Sequence, residues 1–269
     1  MLTLLLGVAY FFLVIAFAVT AVLLKAIDGR GFLASVAVGF AVIYGGGLPW
    51  FVIVALFFSL GVAVTWYKYG YKKKLGSAQE KGGARNWPNV LANGGLASIF
   101  AVCSFSRPGF VFAALFLGSI SAAAADTTAT ELGLLSKRQP RLITHPSREV
   151  PAGTSGGVTP LGFIAALLAS LVIGAMALLL GVVGTSLRAV ALCVVGGTVG
   201  AVVDSLLGAA VQRKGFCKVC LKQTEAISHC GEKTRITGGV SFIENNVVNF
   251  LATAAGAASA LAYLMLVPL

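Results

Sequence analysis

Eight apolar stretches, each near the ~20 residues that a helix needs to cross the hydrocarbon core of a bilayer, constrain this chain more than any other feature. They run roughly over 2–24, 31–48, 49–66, 89–105, 109–125, 158–183, 187–211 and 247–269. The breakers fall between them: Gly45, Gly46, Gly47, Leu48 and Pro49; Ser106, Arg107, Pro108 and Gly109; and Gly184, Thr185 and Ser186. Backbone groups in lipid must be satisfied within their own segment, so such stretches fold as helices. With 58% hydrophobic and 11% charged residues, the sequence excludes a soluble globular domain, a disordered chain and a secreted disulfide scaffold. The 33 glycines suit close helix packing in lipid. The first stretch lacks a basic n-region and is long for a signal-peptide core, so it reads as a retained helix. The expected fold is all-α: a polytopic integral membrane protein of about eight transmembrane helices, within a range of about seven to nine. Residues 1–269 form one membrane domain, with a small cytoplasmic Cys/His loop inserted at 211–239.

The basic residues set the orientation. Loop one holds Lys25 and Arg30; loop three holds Lys68, Lys72, Lys73, Lys74, Lys81 and Arg85; loop five holds Lys137, Arg138, Arg141 and Arg148; loop seven holds Arg213, Lys214, Lys218, Lys222, Lys233 and Arg235. Thus 18 of the 20 Lys and Arg residues fall in odd-numbered loops, and Arg107 and Arg188 alone fall in the even-numbered turns. Both termini are therefore expected outside, with three long loops in the cytoplasm. The formal charge of +11 reflects this one-sided placement and not a nucleic-acid surface. All nine acidic residues lie in or near the same loops, so chemistry belongs at the cytoplasmic face, where nucleotides and metal ions are available.

Several polar groups stand where lipid-facing residues should be. Asp204 lies about seven residues inside the seventh stretch, roughly 10 Å deep, where a carboxylate faces a cavity or a partner. The segment DSLLGAAVQ puts Asp204, Gly208 and Gln212 on one stripe at i, i+4 and i+8. The segment ADTTATELG ends the fifth stretch with Asp126 and Glu131, five residues apart, which diverge by about 140° on a helix and bracket a ligand. An ordinary helix terminus, with Asp126 and Thr127 capping backbone donors, is the structural alternative. Asn86, Asn89 and Asn93 share a face of the fourth stretch, and Asn245, Asn246 and Asn249 open the eighth. Any one Asn has inter-helix hydrogen bonding as its simpler explanation. Asn93, Asp126, Asp204 and Asn249, however, come from four stretches at a similar depth, which describes a site.

The loops add two further features. Gly153, Thr154, Ser155, Gly156 and Gly157 run into the sixth stretch, and a Gly/Ser/Thr turn at a helix N-terminus favours phosphate, with Arg141 and Arg148 adding charge; a plain loop is the alternative. No GxxxxGK[ST] loop, strand-to-helix GxGxxG or HExxH is present, and with only His145 and His229 a Ser-His-Asp hydrolase has little support. FCKVCLKQTEAISHCGEK places Cys217 and Cys220 as CxxC, followed by His229 and Cys230. In a reducing cytoplasmic loop this set suits a structural Zn²⁺, with inert or redox-sensitive thiols as the alternative. Cys103 and Cys193 lie within apolar stretches and read as buried small hydrophobes.

The segments VLANGG, ADTTATELG, PRLIT followed by GTSGGVTPLG, DSLLGAAVQ, CKVC with a later HCG, and ENNVVNF, in this order, resemble the integral membrane family that includes the plant and cyanobacterial phytyl-phosphate kinases. The resemblance implies transfer of a phosphoryl group from a nucleoside triphosphate, CTP foremost, to an isoprenoid monophosphate such as phytyl or geranylgeranyl phosphate. Carried onto matching positions, it implies a polar site of Asn93, Asp126, Glu131, Asp204 and Asn249, with Gly156 and Gly157 in the phosphate-binding turn. The family commonly has a Trp where Thr128 stands and an acidic residue where Asn246 stands. The corresponding expectation is that Asp126, Glu131 and Asp204 position Mg²⁺ and that Arg85, Arg141 and Arg148 bind phosphates. Ser155, Gln212, Asn245 and Asn246 complete the substrate and nucleotide contacts, and the prenyl tail lies between apolar helices among membrane lipids. The competing readings are a secondary transporter of a small anionic or isoprenoid-phosphate substrate, a CTP-dependent lipid alcohol kinase or cytidylyltransferase, and a scaffold organised by the Cys/His loop.

Overall fold

The computed structural model describes residues 2–184, 186–221 and 223–267. Thr185 of the third predicted turn, Lys222 of the last basic loop, the side chain of Lys81 and residues 268–269 of the eighth stretch lie outside the described residues. Eight α-helices follow in order: α1 (Leu2–Leu23), α2 (Gly29–Trp66), α3 (Tyr69–Lys74), α4 (Trp87–Ser106), α5 (Phe110–Gly133), α6 (Pro160–Leu179), α7 (Arg188–Ala210) and α8 (Asn245–Leu266). Seven of them, all but the short α3, are long and apolar enough to cross a membrane.

The count of crossings turns on α2. A straight helix of its 38 residues would run about 57 Å, nearly twice the bilayer core. Gly47 interrupts it with φ 75° and ψ −170°, backbone that a side chain would strain, and Pro49 follows. Gly31 and Gly61 would be about 45 Å apart on a straight rod, yet both abut Arg85, Gly31 its carbonyl and Gly61 its guanidinium. The halves 29–46 and 48–66 therefore fold back as an antiparallel hairpin, which gives the described residues eight apolar segments of about crossing length.

Helix α5 is the hub. It packs against α2, α4, α6, α7 and α8, and is buried along most of its length. Its contacts with α7 and α8 are backbone-close: a Cβ on Gly196 would sit 2.7 Å from the Gly118 Cα, and one on Gly256 would sit 2.7 and 2.8 Å from the carbonyl oxygens of Gly118 and Gly196. Lipid supplies no hydrophobic drive between helices, so association of this kind rests on close van der Waals packing. On the other side of α5, Trp50 stacks on Phe116 with ring centroids 4.3 Å apart.

The long connections gather at one end of the bundle. Ser77 Oγ donates to the Ala152 carbonyl at 3.1 Å, Ile27 bridges Arg85, and Gly156 rests against Ser205 and Ala209 of α7. Arg107 and Arg188 border the short turns at the other end. The loops carry small antiparallel sheets: β1 (Arg141–Leu142), β2 (His145–Glu149) and β3 (Gly157–Val158) in the order β2-β1-β3, and β4 (Lys214–Phe216), β5 (Gln223–Thr224) and β8 (Arg235–Gly238) in the order β5-β4-β8. A ribbon of β6 (Ser228–His229) and β7 (Glu232–Lys233) completes them. Helix α5 runs eight residues past its predicted end at 125, because nothing in DTTATEL breaks a helix before Gly133. Asp126 and Glu131 are thus helical, in its last two turns.

If the three-glycine contact holds the bundle, Gly196→Val should lower thermal stability sharply by forcing α7 off α5, at a cost of about 1–3 kcal/mol or more. Gly7→Val, at a position with nothing within 4 Å of an added Cβ, should leave it unchanged. Thermal unfolding in detergent compares the two.

Candidate functional site

The glycine contact sets the depth of the polar residues. Asp126 lies eight residues beyond Gly118, Asp204 eight beyond Gly196, and Asn249 seven before Gly256. Each interval is about two helical turns, so each side chain returns to the face its glycine occupies and all three meet nearer the loop-bearing end. The carboxyl groups of Asp126 and Asp204 lie within hydrogen-bonding reach of one another. Asn249, its amide oriented by the acceptors around it, donates to Asp204 Oδ1 at 3.2 Å and to the Asn245 carbonyl at 3.0 Å. Two carboxyl groups in contact need a proton or a cation between them.

Gln212, buried just past the end of α7, extends this cluster. Its Nε2 donates to Glu225 Oε2 at 2.7 Å, and Glu225 lies within electrostatic reach of Asp204. Burial pushes the Glu225 carboxyl up to about 7, with Lys214 and the Gln212 hydrogen bond acting the other way. Arg213 holds the segment in place: the residue is 3% exposed, and its guanidinium donates to the carbonyls of Glu225 at 3.0 Å and Ala226 at 2.8 Å, and to Thr234 Oγ1 at 2.7 Å. In the sequence Arg213 and Lys214 stand out only as loop charges and Glu225 not at all, because loop acids and bases carry no periodicity to mark them as site residues.

The glycine turn docks against α7 one turn past Asp204. Gly156, at φ +75°, has no room for a Cβ against Ala209, and Ser155 and Gly156 pack on Gly208. The turn does not run directly into α6. Gly157–Val158 forms β3, and Thr159 caps the helix by accepting from the Gly162 N–H at 3.1 Å. The N–H groups of Thr154 and Gly157 are also engaged within the turn, on the carbonyls of Pro151 and Thr154.

Five predicted residues, Glu131, Arg141, Arg148, Arg85 and Asn93, lie elsewhere. Glu131 is directed away from Asp126 and forms a buried ion pair with Lys72, 2.5 Å from Nζ, with side-chain exposures of 3% and 0%. Lys72 also donates to the Val64 and Thr65 carbonyls at 2.6 and 3.1 Å. Arg141 pairs with Glu149 at 3.4 Å on an exposed ribbon, and Arg148 is exposed on the same ribbon. Arg85 lies within electrostatic reach of Glu131, and burial lowers its pKa to about 10 against that attraction. Its neighbour Asn93 is buried and donates to the Asn89 carbonyl at 2.9 Å. Of the residues opening α8, Asn245 is exposed and Asn246 half-buried.

The ligand atoms of Cys217, Cys220, His229 and Cys230 lie within 4.8 Å of one another, a group able to hold one metal ion. His229 Nδ1 is 3.4 Å from Cys220 Sγ and 3.2 Å from Cys230 Sγ, close to the ~3.5 Å S···N edge of a tetrahedron built from ~2.3 Å metal–S and ~2.0 Å metal–N bonds. Cys230 at φ +54° and Gly231 at φ +81° turn the chain so that adjacent His229 and Cys230 face one point. Hydrogen bonds from the Cys220 backbone and the His229 side chain pull the Cys217 thiol down to about 6, which favours the thiolate.

Known proteins share this chain over most of its length. It is 30% identical to Protein PGR of Arabidopsis thaliana over 250 residues, covering 84% of this chain and 85% of that one. It is 34% identical over 192 residues to an uncharacterized membrane protein of Methanocaldococcus jannaschii, covering 71% and 77%. It is 29% identical over 164 residues to Protein VTE6, chloroplastic, of Arabidopsis thaliana, covering 59% of this chain and 49% of that one. No solved structure matches it. The profile of the integral membrane protein DUF92 family matches residues 12–257, and so the chain belongs to that family, the one its sequence motifs resemble.

Proposed function

We propose that this protein is a membrane-embedded kinase that transfers a phosphoryl group from a nucleoside triphosphate, CTP foremost, to an isoprenoid monophosphate. The observation that carries the reading is the convergence of Asp126, Asp204 and Asn249 from three helices beside a glycine turn, at the end of the bundle that bears the basic loops. The family motifs in the sequence support the choice of substrate. The positive loops support an orientation with this end in the cytoplasm and both termini outside.

Phosphoryl transfer asks a protein for placement and charge more than for covalent chemistry. An oxygen of the isoprenoid phosphate attacks the γ-phosphorus, the bond from that phosphorus to the β-bridging oxygen breaks, and the nucleoside diphosphate departs with the electron pair. The paired carboxyls of Asp126 and Asp204 suit a hard cation such as Mg²⁺, and Glu225 borders the same place. When bound, Mg²⁺ neutralises charge on the phosphates. Asn249 fixes the orientation of Asp204, Gln212 holds Glu225, and Lys214 adds a cation beside them. Glu131 takes a supporting role in this reading, since its carboxylate is committed to Lys72.

The test incubates purified protein with γ-labelled CTP or ATP, Mg²⁺ and a panel of prenyl alcohols and monophosphates. Label in a prenyl diphosphate is expected; pyrophosphate release would make the protein a cytidylyltransferase, and no transfer with any pair would reject the kinase. Asp204→Asn should reduce turnover by at least ~10²-fold with the thermal midpoint kept.

Glu131→Gln leaves a buried ammonium without its counter-charge and should cost about 3–5 kcal/mol. Replacing the pair together, Lys72→Met with Glu131→Leu, should recover both stability and turnover. Stability regained without turnover would make Glu131 a metal ligand.

For the Cys/His loop we propose structural Zn²⁺. Elemental analysis of purified protein should find one zinc per chain, and Cys217→Ser with Cys220→Ser should abolish it and expose the 211–239 segment to proteolysis. Full zinc content in that variant would place the metal elsewhere.

A further inference from the structure

An open, apolar groove lies between α1, the two halves of α2 and the start of α4, with about 660 Å³ of space that includes its open side. Phe17, Phe51 and Phe57 wall it, and its polar side chains are Ser35, Arg85, Asn89 and Asn93. Arg85 abuts Gly31 near the loop-bearing end, whereas Gly39, eight residues further along the same helix, abuts Val14 and Phe51. The groove thus runs about 12 Å into the bundle from a cationic mouth.

Arg85 is the group that calls for a ligand. A guanidinium has five N–H donors, yet among the described residues this one makes a single long hydrogen bond, from Nη1 to the Phe58 carbonyl at 3.4 Å, and lies over the Phe58 ring. Among the described residues no carboxylate comes within ion-pair distance of it, since Glu131 is taken by Lys72. Gly61 leaves space for the head group, where a Cβ would strike Nη2. Charge at the membrane boundary is normally paired, and a guanidinium matches phosphate oxygens in a bidentate fork.

We propose that this groove is the acceptor-lipid site, holding a single isoprenoid chain along the apolar walls with its phosphate monoester on Arg85, beside the amides of Asn89 and Asn93. The proposal rests on the kinase reading for the identity of the phosphate, but the site itself can be tested without turnover. The charge at the mouth selects an anionic head, and the apolar walls of α1 and the α2 hairpin take its chain.

The experiment uses the full chain in nanodiscs of phosphatidylcholine with a prenyl monophosphate carrying a terminal diazirine. After irradiation, mass spectrometry should locate label on α1 and on residues 50–58 of α2. Unlabelled prenyl monophosphate should compete, and prenyl alcohol should compete at least ~10-fold less well. Arg85→Gln should weaken labelling by the phosphate about 10-fold or more while leaving labelling by a diazirine prenyl alcohol unchanged, and Ala55→Trp should block both. Label on α6 or α7, or equal competition by phosphatidic acid, would overturn the proposal. Diphosphate formation with label elsewhere would overturn this site and leave the kinase reading standing; groove labelling in protein that transfers no phosphate would do the reverse.

Discussion

The contact of three helix backbones at Gly118, Gly196 and Gly256 is the constraint on which the rest depends. In lipid, apolar side chains gain little by leaving the bilayer for one another, so helix pairs need surfaces that fit closely. Glycine at this crossing brings α5, α7 and α8 within backbone contact. Two turns away, the same geometry brings Asp126, Asp204 and Asn249 together, where wider spacing would leave each of them without a partner in an apolar environment.

Helix α5 also divides the loop-bearing end into two electrostatic territories. Asp126 points toward α7 and α8, and Glu131, about 140° around the helix, points toward Lys72 and the end of α2. One side gathers the carboxyls of Asp126, Asp204 and Glu225; the other holds the Lys72–Glu131 pair, with Arg85 within electrostatic reach of it.

The Cys/His loop connects to the acidic side through a short chain of contacts. Arg213 ties the backbone at Glu225 and Ala226 to Thr234, and the clustered Cys217, Cys220, His229 and Cys230 close the same loop on itself. Glu225, carried between these two anchors, reaches Gln212 and faces Asp204. A loop with few apolar contacts needs such anchors if it is to hold a carboxylate in one place.

Much of the architecture was legible in the sequence, because span length and hydropathy reflect a fixed bilayer thickness and Lys and Arg segregate across it. Gly47 and Pro49 marked the reversal in α2, and the i+4 spacings marked the polar faces. The cysteine spacing likewise announced a cluster before any coordinates. Which polar groups meet was decided only by the tertiary structure. Asp126 and Glu131 look equivalent along the chain, yet rotation about α5 sends one to Asp204 and the other to Lys72, a residue that in sequence is one of three consecutive lysines. Arg141 and Arg148 looked like phosphate ligands by proximity to the glycine turn, but the β1–β2 ribbon turns them outward. Helix existence depends on local composition and solvent; side-chain partnership depends on the rotation and approach of separate helices, which the glycines and the loop anchors set together.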